Sequence, residues 1–157
     1  MMTEQQILNK LTALCARGEH CKHEMLTKME RWEVEEETQQ RVLDYLVRER
    51  FIDEERYARF FINDKVKYNR WGRRKVEQAL YMKRIPKEVY TPILDSMQEE
   101  SYEEFLIPLL RNKIRSVKGK NDYEVKMKLI RFAMQRGFDY DLSQKCAEQC
   151  MKEYTKE

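Results

Sequence analysis

Apolar residues recur at spacings of three and four along almost the whole chain, a pattern typical of helices that bury one face. Examples are Ile7, Leu11 and Leu14; Val42 and Leu46; Val76 and Leu80; and Val125, Leu129 and Phe132. Strand patterns are nearly absent, and the 157 residues include only four glycines and three prolines. Because so few residues break the helical pattern, the sequence predicts an all-α protein.

Glycines divide the helical segments at regular intervals. Gly18, Gly72 and Gly119 are spaced roughly fifty residues apart, each between two segments. Laying residues 54–70 over 102–118, an offset of 48, aligns Tyr57 with Phe105, Phe61 with Leu109, Ile62 with Leu110 and Val66 with Ile114. The polar sides also align, Asn63 with Arg111, Lys67 with Arg115 and Arg70 with Lys118. Both faces of the helix repeat, which predicts tandem copies of one unit.

Each copy is expected to contain three helices. The predicted helices are 3–17, 21–32, 35–50, 54–69, 73–83, 87–100, 102–116, 122–136 and 140–154, and Gly137 fits a C-terminal cap. We expect a single domain over 1–157, with repeat one at 3–50, repeat two at 53–100 and repeat three at 101–154. Because a unit of about fifty residues is marginal alone, the repeats should stack into an elongated curved solenoid.

Several classes of protein do not fit the sequence. No stretch approaches the roughly 20 apolar residues of a membrane span, and the N-terminal MMTEQQILNK lacks the blocks of a signal peptide. We therefore expect a cytoplasmic protein without membrane contact. Its cysteines, Cys15, Cys21, Cys146 and Cys150, are expected to be buried, reduced thiols.

Metal and enzyme motifs are also missing from the sequence. The segment HCKH at 20–23 and the pair Cys146 and Cys150 lack the usual zinc spacings, so no metal site is predicted. There is no phosphate loop, nucleophile elbow or dinucleotide turn. Both histidines fall in one short segment, so we expect neither catalysis nor a cofactor.

Positive charge is concentrated in two blocks, although the formal net charge is only +3. Residues 56–84 contain ten Lys and Arg against two acids, and residues 111–136 contain nine against two. In the first block, Arg56, Arg59, Asn63, Lys67 and Arg70 follow helical spacing along one face, opposite Tyr57, Phe61 and Tyr68. In the next helix Val76 and Leu80 point inward, and Arg74, Lys75, Gln78 and Tyr81 point outward. These faces predict a surface for phosphates or carboxylates.

The alternative is a solvated helix face that binds nothing. We favour the binding surface because the cations repeat at the offset of 48 and have few acidic residues one helical turn away. Trp71 is predicted to pack at a helix junction, with stacking on a nucleobase as its alternative, and Trp32 is predicted to lie in the core.

The segment FIDEERYARFFINDKVKYNRWGRRKVEQALYMKRIP resembles the central motif of the RecX family. Positions that match the motif are Phe51, Ile52, Asp53, Tyr57, Ala58, Phe61, Gly72, Lys75, Val76, Leu80, Lys83 and Ile85. The resemblance continues in ALCARGEHCKHEML, with Cys21 at a serine position of the family and with Glu24 and Met25 matching, and in KLIRFAMQRGF. Arg50 and Arg84 replace family glycines at helix ends, which predicts altered caps, and Glu54 replaces an aspartate.

The resemblance implies tandem three-helix repeats without catalytic activity that bind filaments of the RecA recombinase on single-stranded DNA. Such proteins limit filament extension, ATP hydrolysis, strand exchange and co-protease activity. We expect a monomer whose contacts with the filament, and weakly with its DNA, come from Arg56, Arg59, Lys67, Arg70, Arg73, Arg74, Lys75, Arg111, Arg115 and Lys118. Two alternatives remain open: a helical DNA-binding module that acts without RecA, and an adaptor for another acidic protein.

Overall fold

The computed structural model describes residues 1–155, apart from the side chain of Glu100, and within that range every regular element is helical. The helices are α1 Glu4–Arg17, α2 Lys22–Arg31, α3 Glu36–Arg48, α4 Glu54–Lys67, α5 Arg73–Met82, α6 Lys87–Asp95, α7 Glu99–Lys113, α8 Asp122–Gln135 and α9 Tyr140–Thr155. A single 3₁₀ turn, Ile114–Ser116, extends α7. The predicted all-α fold is confirmed.

Polar side chains at the helix starts explain why several helices begin where they do. Thr3 precedes α1, and its backbone N–H donates to Gln6 Oε1 while its hydroxyl accepts from the Gln6 N–H, at 2.8 and 3.2 Å. Asn121 precedes α8 and accepts from the N–H of Glu124 at 2.9 Å. These caps satisfy backbone donors that have no partner within the helix.

The prediction of one helix over 87–100 is wrong, because α6 ends at Asp95 and α7 begins at Glu99. The Ser96 hydroxyl donates to the carbonyl of Ile93 at 2.6 Å, and the N–H of Met97 donates to the carbonyl of Leu94 at 3.1 Å. These bonds close a tight turn. Neither Gly nor Pro stands at the turn, so the sequence lacks the usual sign of a break.

The chain divides into two compact units, and the division falls within α4, α5 and α6. Unit 1 comprises Met1–Phe61 and Leu80–Tyr90, and unit 2 comprises Ile62–Ala79 and Thr91–Glu157. The core of unit 1 is built by Ile7, Leu11, Met25, Met29, Val42, Leu43, Leu46 and Ile52. Trp32 is only partly buried against this core, with Lys10 Nζ 5.7 Å from its ring centroid, so the prediction of a core tryptophan holds in part.

In unit 2, α7, α8 and α9 pack on one another. The aligned pair Ile62 and Leu110 is buried, as is the pair Val66 and Ile114. The offset of 48 therefore relates residues with the same environment. The predicted boundaries of the three repeats stay a prediction.

Candidate polyanion-binding surface

The turn between α4 and α5 is where the predicted basic face ends. Helix α4 stops at Lys67, and Arg70 takes a left-handed conformation with φ of 58°. The N–H of Trp71 donates back to the carbonyl of Lys65 at 3.0 Å. Arg70 therefore leaves the helix and does not continue its face, contrary to the prediction. Tyr68 was predicted on the face opposite the cations together with Tyr57; Tyr57 is buried, but Tyr68 is 70% exposed.

The turn that carries Arg70 and Trp71 is fixed by backbone contacts to the turn between α8 and α9. The N–H of Gly72 donates to the carbonyl of Arg136 at 2.8 Å, and the N–H of Arg74 donates to the carbonyl of Gly137 at 3.1 Å. Arg136 also donates from Nη1 to the carbonyl of Asn69 at 3.3 Å. These bonds hold the basic turn against the C-terminal end of α8.

Glycine is required on both sides of this contact. A Cβ on Gly72 would lie 2.3 Å from the backbone nitrogen of Phe138, and a Cβ on Gly137 would lie 2.4 Å from the Cβ of Lys75. Gly137 also has φ of 98°, a conformation that favours glycine. The two glycines allow the backbones of the two turns to touch.

Five cations around the turn lie over three aromatic rings. The ring centroid of Trp71 is 5.2 Å from Lys65 Nζ and 4.4 Å from Lys75 Nζ. Arg70 lies 4.9 Å from the centroid of Phe105, and Lys113 Nζ and Arg136 lie 5.0 and 5.2 Å from that of Phe132. We call these eight residues the cation–aromatic cluster. All of them belong to unit 2. Each cation rests its charge on the negative face of a ring and has its position restricted there.

Four of the ten predicted contact residues are held in ion pairs. Arg56 donates to Glu19 at 2.7 Å and Arg59 to Glu55 at 3.0 Å. Arg73 contacts Glu77 at 2.5 Å and Asp95 at 2.7 Å, and Arg111 makes a bidentate pair with Glu153 at 2.8 and 2.9 Å. The hydrogen bonds from Arg111 lower the pKa of Glu153. Only Arg59 and Arg73 pair with an acid one helical turn away, in agreement with the expectation of few such neighbours. Acids from more distant parts of the chain nevertheless neutralise Arg56 and Arg111, which the sequence did not predict.

The other six predicted cations remain available for a ligand to different degrees. Arg70 and Lys75 belong to the cation–aromatic cluster. Lys67, Arg74, Arg115 and Lys118 are exposed, and no ion pair to them forms within the part of the chain that the structure describes. All six lie in unit 2, whereas Arg56 and Arg59 lie in unit 1.

Sequence reasoning missed Lys65, Lys113 and Arg136 as members of the surface. One local signal was present for Arg136, because Phe132 precedes it by four residues on α8 and such residues are neighbours on a helix. No local signal connects Lys113 to Phe132, which lies on another helix. Trp71 is half-buried beneath two lysines, in agreement with its predicted packing role at the helix junction.

The thiols are held in unreactive surroundings. All four cysteines are free; Cys21, Cys146 and Cys150 are buried as predicted, and Cys15 is only half-buried. Burial is the main cause that raises the pKa of Cys21 and of Cys146 to about 11, so both are protonated at neutral pH. Over residues 1–155 no three His, Cys, Asp or Glu side chains are grouped so that they could hold a metal ion. Within the same range, no helix is long and apolar enough to cross a membrane.

Two family models match the chain: "RecX, second three-helix domain" over residues 53–91 and "RecX, third three-helix domain" over residues 102–146. The chain is 31% identical to "Regulatory protein RecX" of Chlorobium limicola, over 77% of this chain and 74% of that protein. It is 30% identical to the protein of the same name from Clostridium botulinum strain Eklund 17B, over 69% of this chain, and the match spans 51% of that relative. It is likewise 30% identical to that of Finegoldia magna, over 76% of this chain and 60% of that relative. The chain thus spans about half to three fifths of the length of these last two proteins.

Solved structures share the fold at low sequence identity. The chain matches a crystal structure of regulatory protein RecX with a TM-score of 0.84 and 15% identity, over 92% of this chain and 73% of the other. The structure of RecX from Lactobacillus salivarius matches with a TM-score of 0.78 and 15% identity, over 94% and 96%. Together with the two three-helix domain models, these likenesses confirm the predicted tandem three-helix fold.

Proposed function

The chain belongs to the RecX family, as its central motif predicts, and we propose that it is a non-enzymatic regulator of the RecA recombinase. In this proposal it binds RecA filaments on single-stranded DNA and limits their extension, ATP hydrolysis, strand exchange and co-protease activity. It acts in the cytoplasm as a monomer and needs no cofactor.

The observation that carries the proposal is that the six predicted contact residues without an ion pair among the described residues all lie in unit 2. Lys67, Arg74, Arg115 and Lys118 are exposed and have no carboxylate partner among the described residues. Cations without partners repel one another, and a polyanion removes that repulsion while it releases its own counterions. A filament offers both phosphates and carboxylates to such a surface. Guanidinium groups bind either one through two parallel hydrogen bonds.

The direct test is single-strand-dependent ATP hydrolysis by the RecA of the same cell, with this protein titrated well below one copy per RecA. We expect strong suppression at that ratio, because blocking filament growth requires less protein than covering every subunit. Unchanged hydrolysis near equal copy number would overturn the proposal and would leave the family membership as a statement about fold.

A pair of matched variants tests the assigned surface. Replacing Lys67, Arg70 and Arg74 together by Gln should weaken both filament binding and the suppression of hydrolysis by about tenfold or more, since each exposed charge contact contributes up to about 1 kcal/mol. Replacing Arg56, Arg59 and Arg111 by Gln removes the same charge from residues already held in ion pairs, and it should have a smaller effect. Equal effects of the two triple variants would argue against the assigned surface.

A second candidate function is DNA binding without RecA, and the exposed cations Lys67, Arg74, Arg115 and Lys118 favour it. Lys and Arg side chains that contact phosphates supply most of the affinity of sequence-independent DNA binding. Tight binding to a bare oligonucleotide at physiological salt would support this candidate. Weak binding to the bare strand together with strong binding to the filament would support the regulator.

A further inference from the structure

Helix α8 of unit 2 has an apolar stripe along a face that is partly open to solvent. Tyr123, Met127, Ile130 and Met134 follow one another by four, three and four residues, which places them on one side of the helix. We call these four residues the α8 stripe. Tyr123 is 71% exposed and Met134 is 38% exposed. The solvent side of a helix is usually polar, and a continuous apolar stripe there is typical of a contact surface.

The α8 stripe borders a groove between α8 and the start of α9. The groove has a volume of about 340 Å³ and is lined by Met127, Ile130, Arg131, Met134, Gln135 and Tyr140. Ile130 is 2% exposed and belongs to its buried side, whereas Tyr140 is 47% exposed. Methionine side chains are flexible and polarisable, and they adapt to the shape of a partner.

Arg131 is the charged residue of the groove. It follows Met127 by four residues and precedes Met134 by three, so it lies beside the α8 stripe. Arg131 is exposed and forms no ion pair with any described residue, and no described carboxylate lines the groove. Unit 2 also contains more Lys and Arg than Asp and Glu. The groove is therefore complementary in charge to an apolar segment that carries carboxylates.

The groove and the cation–aromatic cluster lie on different sides of α8. At about 3.6 residues per turn, Phe132 and Arg136 of the cluster lie nearly opposite Tyr123, Met127 and Met134. The side of the helix that carries Phe132 also carries Leu129 and Ala133 toward the interior of unit 2. A polyanion held at the cluster therefore need not cover the groove.

Length and charge select one class of occupant. At a rise of 1.5 Å per residue the α8 stripe is about 16 Å long, which matches three turns of a partner helix. An amphipathic helix binds such a groove through apolar residues at the same helical spacing. In a two-fold dimer the same patch meets itself, so a second copy would bring another Arg131 to the groove and no carboxylate.

We propose that this groove binds an acidic amphipathic helix of a partner protein. Apolar side chains of the partner pack on Met127, Met134 and Tyr140, and a carboxylate of the partner pairs with Arg131. The groove is separate from the basic surface assigned to RecA regulation. Its test contains neither RecA nor DNA, so the two proposals stand or fall separately.

The test uses the full chain with ¹³C-labelled methionine methyl groups and a synthetic helical peptide as the probe. The peptide has four leucines at the spacing of the α8 stripe and glutamates beside them. We expect saturable shifts of the methyl resonances of Met127 and Met134. A peptide with Gln in place of each Glu should bind about fivefold or more weakly. No saturable shift at these two methionines, or equal affinities of the two peptides, would overturn the proposal.

Two pairs of variants locate the contacts. Arg131→Gln removes the charge contact and Met134→Ala removes apolar contact, and each should weaken binding of the glutamate peptide by about fivefold or more. Both residues are exposed, so neither change should affect the fold. Arg31→Gln and Met82→Ala make the same changes at exposed positions of unit 1 and should leave the affinity unchanged. Losses of the same size in unit 1 and unit 2 would contradict the assigned groove.

Sedimentation of the chain without peptide tests a second copy as the occupant. We expect the same sedimentation coefficient over a wide range of protein concentration, because the groove offers no carboxylate to Arg131 of another copy. A dimer that forms as the concentration rises and that Met134→Ala dissociates would assign the groove to self-association and would overturn the proposal.

Discussion

At the level of single residues, three arginines, Arg50, Arg70 and Arg84, hold backbone conformations that are unusual for any residue except glycine. Arg50 and Arg84 have φ of 60° and 59°, at positions where the family resemblance led us to expect glycine. After α5 the N–H of Ile85 donates to the carbonyl of Leu80 at 3.1 Å, which closes the helix end in spite of Arg84. The prediction of altered caps is therefore wrong, because the left-handed ends are retained with side chains that are strained there.

The change Arg84→Gly should stabilise the protein by about 0.5–1 kcal/mol. It relieves the strain of a left-handed arginine, less the entropy that glycine loses on folding. The measurement is the urea midpoint, with an unchanged slope to show that only stability has changed. As a control, Gln78→Gly places glycine at an exposed position within α5 and should destabilise by about 1 kcal/mol. A destabilised Arg84→Gly variant would contradict the argument.

Glu24, at the start of α2 in unit 1, holds its carboxylate in two contacts. Its Oε1 accepts from the N–H of Cys21 at 3.0 Å, and its Oε2 contacts Lys83 Nζ at 3.2 Å. Burial alone would raise the pKa of Glu24, but the hydrogen bonds from Cys21 and Lys83 outweigh burial and lower it. The interactions of the folded chain therefore stabilise the ionised form of Glu24 more than those of the unfolded chain do.

We expect Glu24→Gln to lower stability by about 1 kcal/mol at pH 7, because the amide cannot pair with Lys83. Because the pKa of Glu24 is lower in the folded chain than in the unfolded chain, where it is about 4.3, ionised Glu24 stabilises the fold above that pH. This stabilisation is lost as the pH falls through the folded-state pKa. The difference between wild type and variant should thus shrink in urea titrations from pH 7 to pH 3. Glu104→Gln, at an exposed position of α7, should show no such trend. A constant difference across this range would count against the ion pair.

At the level of elements, the helices could be predicted because their signals are local, and the contacts between helices could not. Apolar spacing and the offset of 48 depend on residues three and four apart, so the number and order of the helices followed from the sequence. The ion pairs of Arg56, Arg73 and Arg111 join residues separated by 37, 22 and 42 positions. Nothing in the sequence near these arginines shows which carboxylate the fold brings to them.

The contact between the α4–α5 turn and the α8–α9 turn is the element on which the cation–aromatic cluster depends. Gly72→Ala should destabilise the chain by about 2 kcal/mol or more, because its Cβ would lie 2.3 Å from the nitrogen of Phe138 and 2.5 Å from the oxygen of Gly137. Backbone atoms cannot move aside as a flexible side chain can. Trp71 fluorescence should change as well, since the adjacent turn shifts.

Gly18 provides the matched control for Gly72. A Cβ there would meet nothing within 4 Å, and its φ of 175° is ordinary extended backbone. Gly18→Ala should therefore leave both the urea midpoint and the tryptophan emission nearly unchanged. If Gly72→Ala behaved like Gly18→Ala, the two turns would not be held by the close backbone contact described above.

At the level of the whole molecule, the small net charge conceals an uneven division between the units. Unit 1 contains 13 Lys and Arg against 14 Asp and Glu, a net charge of −1, and unit 2 contains 18 against 14, a net charge of +4. The two basic blocks of the sequence predicted such an unevenness. They did not predict how many of the cations are free, because the acids that pair with them come from other helices.

The salt dependence of binding distinguishes the effect of charges that contact the ligand from the effect of the total charge of the protein. The slope of the logarithm of the binding constant against the logarithm of the salt concentration reports how many phosphates are contacted. If free cations of unit 2 contact phosphates, changing Lys67, Arg74 and Arg115 to Gln should reduce this slope for a single strand or its filament by about 2, at roughly 0.7 for each contact. Arg17, Arg31 and Lys87 are exposed in unit 1, and changing these three to Gln removes the same total charge. Only the first triple variant should lower the slope, since screened charges outside the contact release few counterions. Equal slopes for both variants would mean that total charge alone drives the binding, and would remove the basic surface of unit 2 from the mechanism.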